Sequence, residues 1–423
     1  MTGSDDFSIS TRISLGDLLV ILTTLVFSSD LVELTFRGIG LGAVVQVFYL
    51  GIYAMSLLVA ILTGTLSGLA RTCPLALLMI ALPVLSMAWS FDPNETLQRV
   101  IGLVGTSIFG FYLGWHYTTA RLIRLVTWGM IVNVTLSLIA IVAVPAIGID
   151  HSQQWSGTWI GIHTHKNELG GSMSLVILLL AYALFDTGGP LRFVFWTYLG
   201  LSVLLLAGSS SATSILTTAI SLALMSIFVI WAKAPGLARL LMLLSVVFVP
   251  FFAFLAWYAD LFDLVLEAFG KDSNLSSRVD IWRLVWPYVG DRWWLGYGYG
   301  VFWQENLPWM NQMEERLHFA PFYSHNGIIE TWIGGGIILV IVTVSVYLLG
   351  LFKAFVRVAG EPEIITASFP IVMLLVFITR NITESALLNR NNIFWALFVA
   401  MIATLARDVR LRLGSGTIEP VEG

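Results

Sequence analysis

Apolar stretches of about twenty residues recur from one end of this 423-residue chain to the other, separated by short polar interruptions. A helix rises about 1.5 Å per residue, so such a stretch crosses the roughly 30 Å hydrocarbon core of a bilayer. Inside hydrocarbon every backbone polar group needs a partner, and a helix supplies that partner locally. The sequence lacks the alternating apolar and polar strands of a membrane barrel. The recurrence therefore predicts an all-α, polytopic integral membrane protein.

The composition agrees with a chain that lies in a lipid bilayer. Only 11% of the residues are charged and 57% are hydrophobic, with a mean hydropathy of +0.85. Cys73 is the single cysteine, which excludes an internal disulfide and a thiolate metal site. The acidic, polar N-terminal run is followed by no small-residue cleavage site, so no cleaved signal peptide is expected. The bilayer is a predicted partner, and no nucleic-acid partner is predicted.

Twelve membrane spans are predicted. They are expected at residues 14–34, 39–63, 74–90, 100–116, 122–145, 168–185, 191–207, 213–231, 238–258, 327–351, 364–380 and 391–406. The predicted organisation is a cytoplasmic tail (1–13), nine spans (14–258), a large loop (259–326), three spans (327–406) and a second cytoplasmic tail (407–423).

The basic residues set the predicted orientation of these spans. With both termini in the cytoplasm, every short inner loop carries Lys or Arg, as the positive-inside rule requires. The large loop 259–326 then faces outward, and it is rich in Trp and Tyr among glycine turns such as GYGYG. A connection of that length is usually functional.

The run YSHNGIIE places an imidazole, an amide and a carboxylate at the start of an apolar helix that is expected to be unbroken. Ionisable groups at membrane depth are costly, so they are functional candidates. The positive end of a helix favours the neutral form of His325, which can accept a proton from a hydroxyl. Asn326 and Glu330 are four residues apart and share a helix face. The alternative interpretation is a cluster that only caps the helix.

The run GTWIGIHTHKNELGG contains His163, His165 and Lys166. The H-x-H pair could bind a metal, but no third ligand follows at a recognisable spacing and Lys166 would repel a cation, so no metal site is predicted. Lys166, His165 and the amide groups at the start of the next helix are predicted to bind phosphate instead. The alternative is that they position the loop against lipid headgroups.

Arg278 lies in a polar turn of the large loop, and its guanidinium suits bidentate contact with phosphate oxygens. The alternative is an ion pair with Asp280 or Asp272. The dense aromatic cluster that follows predicts a sugar site, and its alternative is an aromatic belt at the membrane interface. The residues predicted to bind sugar are Trp282, Trp286, Trp293, Trp294, Tyr297, Asn326 and Glu330.

Several short motifs occur in a characteristic order: SFDPNETLQR, GTWIGIHTHKNELG, a Ser-rich turn, LSSRVDIWRLVWP with WWLGYGYGVFW, and SHNGIIETWIGGG. This order, over about residues 80–400, resembles the O-antigen ligase and polymerase superfamily. It is most similar to the ExoQ-like exopolysaccharide polymerases, in which H-K-N and N-R-N-N also recur. The resemblance implies a GT-C-like helical core in the bacterial inner membrane, with an active site that faces the periplasm.

The resemblance also implies site residues and a donor. Arg278 matches the family arginine thought to hold the pyrophosphate, and His325 matches the family histidine that opens the following helix. The Ser-rich turn GSSSATS lacks the basic residue that family members often carry, which leaves Lys166 or Arg380 as a second anion contact. The donor is a glycan on undecaprenyl pyrophosphate. Because pyrophosphate is a good leaving group, neither a metal nor another cofactor is expected.

The predicted activity is therefore that of a metal-independent membrane glycosyltransferase that joins lipid-linked repeat units into a surface polysaccharide or exopolysaccharide. One alternative is a ligase that transfers the glycan to lipid A core or protein. Another is a transporter of polysaccharide or lipid-linked glycan. Predicted partners are the lipid-linked oligosaccharide, a glycan acceptor, and flippase and chain-length regulator proteins.

Overall fold

The described part of the chain forms helices joined by turns and loops. The structure, a computed structural model, describes residues 14–37, 40–152, 155–236, 239, 276–305, 307–360 and 363–414. The helices are α1 (Leu15–Phe27), α2 (Leu31–Arg37), α3 (Gly42–Leu62), α4 (Thr65–Thr72), α5 (Pro74–Leu85), α6 (Pro93–His116), α7 (Thr119–Ala143), α8 (Pro145–Gly148), α9 (Lys166–Asp186), α10 (Gly189–Ser209), α11 (Ala212–Lys233), α12 (Ser276–Asp291), α13 (Pro308–Leu317), α14 (Gly327–Gly360), α15 (Ile364–Thr383) and α16 (Ile393–Gly414).

Eight of the described helices are long and apolar enough to cross a membrane, and a ninth span is possible if α4 and α5, bent by 106°, count together. The all-α, polytopic fold is confirmed, but the predicted count of twelve spans is not confirmed in the described part of the chain. The expected span 238–258 lies outside the described residues. The expected first span is divided into α1 and α2, because the hydroxyls of Ser28 and Ser29 both donate to the Leu25 carbonyl and end α1.

The chain divides into two compact units. The first unit comprises Met1–Phe48 and Ala120–Thr218, and the second unit comprises Tyr49–Thr119 and Ala219–Gly423. In the first unit, the junction between α1 and α2 is fixed from two sides. The Asn133 amide and the Ser172 hydroxyl both donate to the Ser28 carbonyl, at 2.9 Å each.

In the second unit, α16 packs closely on α6. A Cβ at Gly114 would lie 1.9 Å from the Ala400 carbonyl oxygen, so only glycine allows the two backbones to approach this closely. The fully buried Trp395 donates its indole N–H to the Ser107 hydroxyl at 2.9 Å. These contacts fix the core of the unit that holds the large loop.

The apolar run after the large loop predicts an unbroken helix, but the structure shows a break in it. Within α14, Gly336 has φ 69° and ψ −175°, which interrupts the helix. The freed backbone groups are satisfied by the loop: the Tyr297 amide donates to the Ile333 carbonyl (2.8 Å), and the Ile337 amide donates to the Trp293 carbonyl (2.9 Å). Hydropathy cannot detect this break, because the partners come from a distant segment that buries the irregular backbone.

Candidate active site

The segment that leads into α14 holds His325 in an uncommon backbone conformation. Asn326 caps the helix, since its Oδ1 accepts hydrogen bonds from the amides of Ile328 (3.0 Å) and Ile329 (3.1 Å). His325 has φ 53°, in the left-handed region that residues other than glycine rarely occupy. Such strained residues cluster at active sites, where the surrounding structure holds them in place. The helix cap therefore fixes the residue from which the imidazole projects.

The same segment is anchored by side chains for which the sequence predicts sugar binding. The Trp282 indole donates to the Ser324 carbonyl at 2.8 Å. The Glu330 carboxylate accepts from the Ser324 amide (3.1 Å) and from the Trp303 indole (2.8 Å). In the structure, Trp282, Asn326 and Glu330 thus use their polar groups to position the loop. Sequence spacing does not reveal this role, because the loop folds back onto its own helix.

Glu384, which follows the end of α15, is the centre of a buried polar cluster in the second unit. Arg278 donates from Nη2 to Oε1 of Glu384 at 3.1 Å. The Tyr323 hydroxyl donates to Oε2 at 3.2 Å, and Nδ1 of His325 lies 3.3 Å from the same oxygen. The rings of Tyr323 and His325 are also in contact, with centroids 4.1 Å apart. We call these four residues the Glu384 cluster.

The electrostatics of the Glu384 cluster favour an ionised carboxylate. Burial alone would raise the pKa of Glu384, but the hydrogen bond and charge of His325, with the charges of Arg278 and Arg380, outweigh burial and lower this pKa. A carboxylate anion only accepts hydrogen bonds, so Nδ1 of His325 is its donor when the imidazole is neutral. The lone pair is then on Nε2, and the His325 side chain is 27% exposed. This arrangement provides a proton acceptor at a partly accessible position.

The structure brings Arg278 and His325 together, as the sequence predicts, but through a residue that the sequence analysis did not select. The predicted alternative partner of Arg278, Asp280, instead lies 3.5 Å from Arg283, and Asp272 is outside the described residues. The partner that the structure shows for Arg278 is 106 positions away in sequence. The grouped charges of RNITESALLNRNN were the available signal for it, but they are equally consistent with local pairing.

Arg380 belongs to the surroundings of the Glu384 cluster. Its guanidinium lies 4.0 Å from the centroid of the Phe394 ring, a cation–π contact. Its positive charge contributes to the lowered pKa of Glu384. Of the two candidates for a second anion contact, Arg380 is therefore the one whose charge acts on the same carboxylate as that of Arg278.

The aromatic residues of the large loop divide into a buried set and an exposed set. Tyr297 is 4% exposed, and its ring packs against Phe302 and Trp309, so neither face of the ring is presented to a sugar. Tyr297 therefore packs in the core of the loop, and its sugar-binding role stays a prediction. The predicted residues that the structure leaves exposed are Trp286 (51%), Trp293 (39%) and Trp294 (67%).

Two of the exposed rings are joined by a residue that the sequence analysis did not select. The Trp332 ring lies 4.5 Å from the Trp293 ring and 5.8 Å from the Trp286 ring, as measured between centroids. Its indole also donates to the Trp293 carbonyl at 3.2 Å. We call Trp286, Trp293 and Trp332 the aromatic ledge. Trp332 lies on α14, so its proximity to the loop depends on the tertiary fold.

The predicted phosphate-binding residues of the H-K-N motif lie in the first unit. Nδ1 of His165 accepts from the Asn167 amide at 3.2 Å and caps α9. The Lys166 ammonium lies 3.4 Å from the centroid of a Trp155 ring. Ser211 of the Ser-rich turn donates to the Asn167 side chain at 2.9 Å, which joins the two motifs. Because Arg278 belongs to the second unit, a joint role of Lys166 and Arg278 in donor binding stays a prediction.

Comparison with known proteins agrees with the motif order. A family model described as O-antigen ligase matches residues 197–344, a region that contains Arg278 and His325. The exopolysaccharide production protein ExoQ of Rhizobium meliloti (strain 1021) is 30% identical over an alignment of 258 residues, and the match covers 56% of this chain and 56% of that protein. The chain thus spans about half the length of this curated relative. The two matches confirm the resemblance that the motifs predict: the chain is similar to the O-antigen ligase family over residues 197–344 and to ExoQ over the matched 258 residues.

Proposed function

We propose that the protein is a membrane glycosyltransferase that takes a glycan from a lipid pyrophosphate and joins it to the end of another lipid-linked glycan. The observation that carries this proposal is the convergence of Arg278 and His325 on the buried carboxylate of Glu384. Transfer from a pyrophosphate needs a cation at the leaving group and a proton acceptor at the attacking hydroxyl. The Glu384 cluster contains both groups.

Arg278 is proposed to bind the departing pyrophosphate. Its Nη2 is held by Glu384 at 3.1 Å, and this bond fixes the plane of the guanidinium. The remaining guanidinium N–H groups are suited to phosphate oxygens, which they contact in a bidentate manner. The neighbouring charge of Arg380 adds to the positive potential. Preorganised cations of this kind stabilise the negative charge that develops in the transition state.

His325 is proposed to be the general base. The acceptor hydroxyl oxygen attacks the anomeric carbon of the donor, a new glycosidic bond forms, and the bond from that carbon to the pyrophosphate oxygen breaks. Nε2 of His325 takes the hydroxyl proton, and Glu384 stabilises the resulting imidazolium through Nδ1–H. The proton then leaves to water or to the departing pyrophosphate. General-base catalysis of this type contributes about 10²- to 10⁴-fold to the rate.

The aromatic ledge is proposed to contact the glycan. Indole rings that remain partly exposed offer flat surfaces to the apolar faces of sugars, and this use is available to Trp286 and Trp293. The alternative, an aromatic belt at the headgroup level, uses the same amphipathic rings. Trp293→Ala should weaken apparent affinity for the glycan under the first interpretation, whereas under the second it should change only the thermal stability or lipid dependence.

Polymerisation is proposed as the first function because the curated relative is named for exopolysaccharide production. Ligation to a different acceptor is the second candidate, because the family model carries the description O-antigen ligase. The two candidates share donor chemistry and differ in the acceptor. Purified protein incubated only with lipid-linked repeat units should produce longer lipid-linked chains if it is a polymerase. Product that appears only after addition of lipid A core or a protein acceptor would support ligation.

The assignment of the active site is tested in the same assay. His325→Ala and Arg278→Ala should each reduce chain formation by at least about a hundredfold, as expected for loss of a base or a leaving-group contact. The matched controls are His318→Ala and Arg316→Ala, which remove an exposed histidine and an exposed arginine of the same loop. If His325→Ala and Arg278→Ala remained as active as the two controls, the Glu384 cluster would not be the active site.

We further propose that the Glu384 cluster faces the periplasm and that the membrane is the bacterial inner membrane. The proposal rests on the basic residues of the short loops. His318→Cys, made in a Cys73→Ser background, places a single thiol in the large loop. A membrane-impermeant thiol reagent should label it in cells whose outer membrane alone has been opened. Labelling only after the inner membrane is broken would place the loop in the cytoplasm.

A further inference from the structure

We propose that Asp30, His163 and Glu168, in the first unit, form a binding site for a divalent transition-metal ion. One ligand atom of each residue lies within 4.8 Å of the ligand atoms of the other two. The three residues come from the junction after α1, from the loop before α9, and from the first turn of α9. The sequence predicts no metal site, because no third ligand follows His163 at a recognisable spacing and Lys166 would repel a cation. The structure supplies a third ligand, Asp30, from a position more than a hundred residues earlier in the chain.

The buried imidazole gives an independent indication of a ligand. His163 is only 2% exposed, and its Nε2 has no hydrogen-bond partner among the residues that the structure describes. A buried polar atom without a partner is costly, so nearly all such atoms are satisfied by protein, water or an ion. His163 contributes its ligand atom to the same group as the two carboxylates. A bound cation would satisfy the imidazole and neutralise the carboxylates.

The hydrogen bonds that Thr164 can donate to the two carboxylates do not remove the need for a cation. The Thr164 hydroxyl lies 3.0 Å from Oδ2 of Asp30 and 2.9 Å from Oε2 of Glu168. A hydroxyl has one proton, so it can donate to only one of these oxygens at a time. The Thr164 amide also donates to Asp30, at 2.9 Å. Glu168 is therefore the carboxylate that receives less hydrogen bonding from Thr164. Two like charges this close need either a cation or a shared proton.

The ligand types indicate the class of ion. Two carboxylate oxygens and one imidazole nitrogen, without a thiolate, suit zinc or another divalent transition metal. Magnesium and calcium prefer sites made only of oxygen ligands. The Lys166 ammonium, which the sequence analysis expected to repel a cation, lies over Trp155. The ion would join the α1–α2 junction to the start of α9 and so fix the loop that carries the H-K-N motif.

The test uses the full-length chain in detergent after treatment with a chelator. Zinc added to the wild type should bind with about one ion per chain, as measured by mass spectrometry of the metal after desalting, and should raise the thermal midpoint. Cobalt in place of zinc should give visible d–d absorption. Magnesium at the same concentration should give no comparable rise in the thermal midpoint, because an imidazole and two carboxylates are a poor magnesium site.

Single variants separate the site from adventitious binding. Asp30→Asn, His163→Gln and Glu168→Gln should each weaken zinc binding about tenfold or more and remove the cobalt spectrum. Glu168 is exposed, so Glu168→Gln tests binding without disturbing the core. His151→Gln, which changes an exposed histidine of the same loop, is the matched control and should behave like the wild type.

Two results would overturn the proposal. One is zinc binding and a cobalt spectrum that remain the same in Asp30→Asn, His163→Gln and Glu168→Gln as in His151→Gln, since the ion would then bind elsewhere. The other is a wild type that takes up no zinc or cobalt and is stabilised only by acid. That result would mean that Asp30 and Glu168 share a proton.

Discussion

The two units of this protein each gather carboxylates and a histidine, but they balance the negative charge differently. In the second unit, Glu384 accepts from Arg278 and Tyr323 and contacts Nδ1 of His325. In the first unit, Asp30 and Glu168 lie next to each other and to His163. Glu384 therefore has several positive or hydrogen-donating partners, whereas the partners described for Asp30 and Glu168 are the hydroxyl and the amide of Thr164. The arrangement around Glu384 is balanced within the chain, and the one around Asp30 and Glu168 is the site that we propose for a cation.

This difference shows why a histidine near a carboxylate has no fixed meaning. At Glu384, the hydrogen bond and charge of His325, with the charges of Arg278 and Arg380, lower the pKa of the carboxylate, and a neutral imidazole that donates from Nδ1 keeps its lone pair on Nε2. At Asp30 and Glu168, the imidazole of His163 is buried and its Nε2 has no hydrogen-bond partner in the described residues. The charge balance around each imidazole, rather than the residue type, separates a proposed base from a proposed metal ligand.

The largest expected effect comes from removal of the Glu384 carboxylate. Glu384→Ala leaves Arg278 buried without its partner, and loss of one member of a buried ion pair costs about 3 to 5 kcal/mol. We expect a large fall in the thermal midpoint in detergent and loss of chain formation. Glu314→Ala, which removes an exposed glutamate of α13, is the control and should leave both unchanged. A stable, active Glu384→Ala protein would show that the buried charge of Arg278 does not depend on Glu384.

Titration of the same carboxylate should give a smaller loss than its deletion, because hydrogen-bonding groups remain. The pKa of Glu384 in the folded protein is lowered from its ordinary value of 4.5. Its contribution to stability is therefore fully present above about pH 4.5 and is lost as the pH falls through the lower folded value. Thermal midpoints of the wild type and Glu384→Gln should converge below pH 4.5. A difference between them that stays constant into acid would contradict the lowered pKa.

Loss of one donor to Glu384 should have an intermediate effect. Tyr323→Phe removes a hydrogen bond to a charged group and should cost about 1.5 to 3 kcal/mol. Tyr198→Phe is the matched control, because the Tyr198 hydroxyl contacts the neutral Thr135 hydroxyl at 2.9 Å and should cost only about 1 kcal/mol. The comparison is made on thermal midpoints in one detergent at pH 7. Equal losses would show that the charge of Glu384 does not strengthen the bond.

The smallest expected effect is an increase in stability, and it tests the group formed by Asp30, His163 and Glu168. In chelator, Glu168→Gln relieves the repulsion between two adjacent carboxylates and should stabilise the protein by about 0.5 kcal/mol, the scale of an interaction between exposed charges. In zinc, the same variant should be less stable than the wild type, because it binds the ion more weakly. A thermal midpoint that falls in chelator as well would mean that the two carboxylates already have a favourable arrangement without a cation.

The sequence identified some residues of the candidate site and did not identify others. Arg278 and His325 were identified because a guanidinium and a helix-terminal imidazole are chemically informative wherever they occur. Glu384 was not selected, because its importance depends on contacts with Arg278, Tyr323 and His325, which are distant from it in sequence. Tyr297 was assigned to sugar binding because an aromatic residue in an outer loop looks the same in sequence whether its ring is exposed or buried.

The fold shows the same division. The apolar runs were long enough to predict membrane helices, since the thickness of hydrocarbon sets a minimum length that can be read directly. The break at Gly336 could not be read in this way. It depends on backbone donors and acceptors from the large loop, which lies elsewhere in the sequence.

The sequence by itself determined that this chain is a polytopic helical membrane protein, and it predicted Arg278 and His325 as candidates for chemistry. Length, hydropathy and residue type are local properties, so the order of residues is sufficient for them. Only the tertiary structure decided that Arg278 and His325 meet on Glu384, and that His163 meets Asp30 and Glu168. These contacts depend on how distant segments pack, and electrostatic interactions depend on distance in space rather than on separation along the chain.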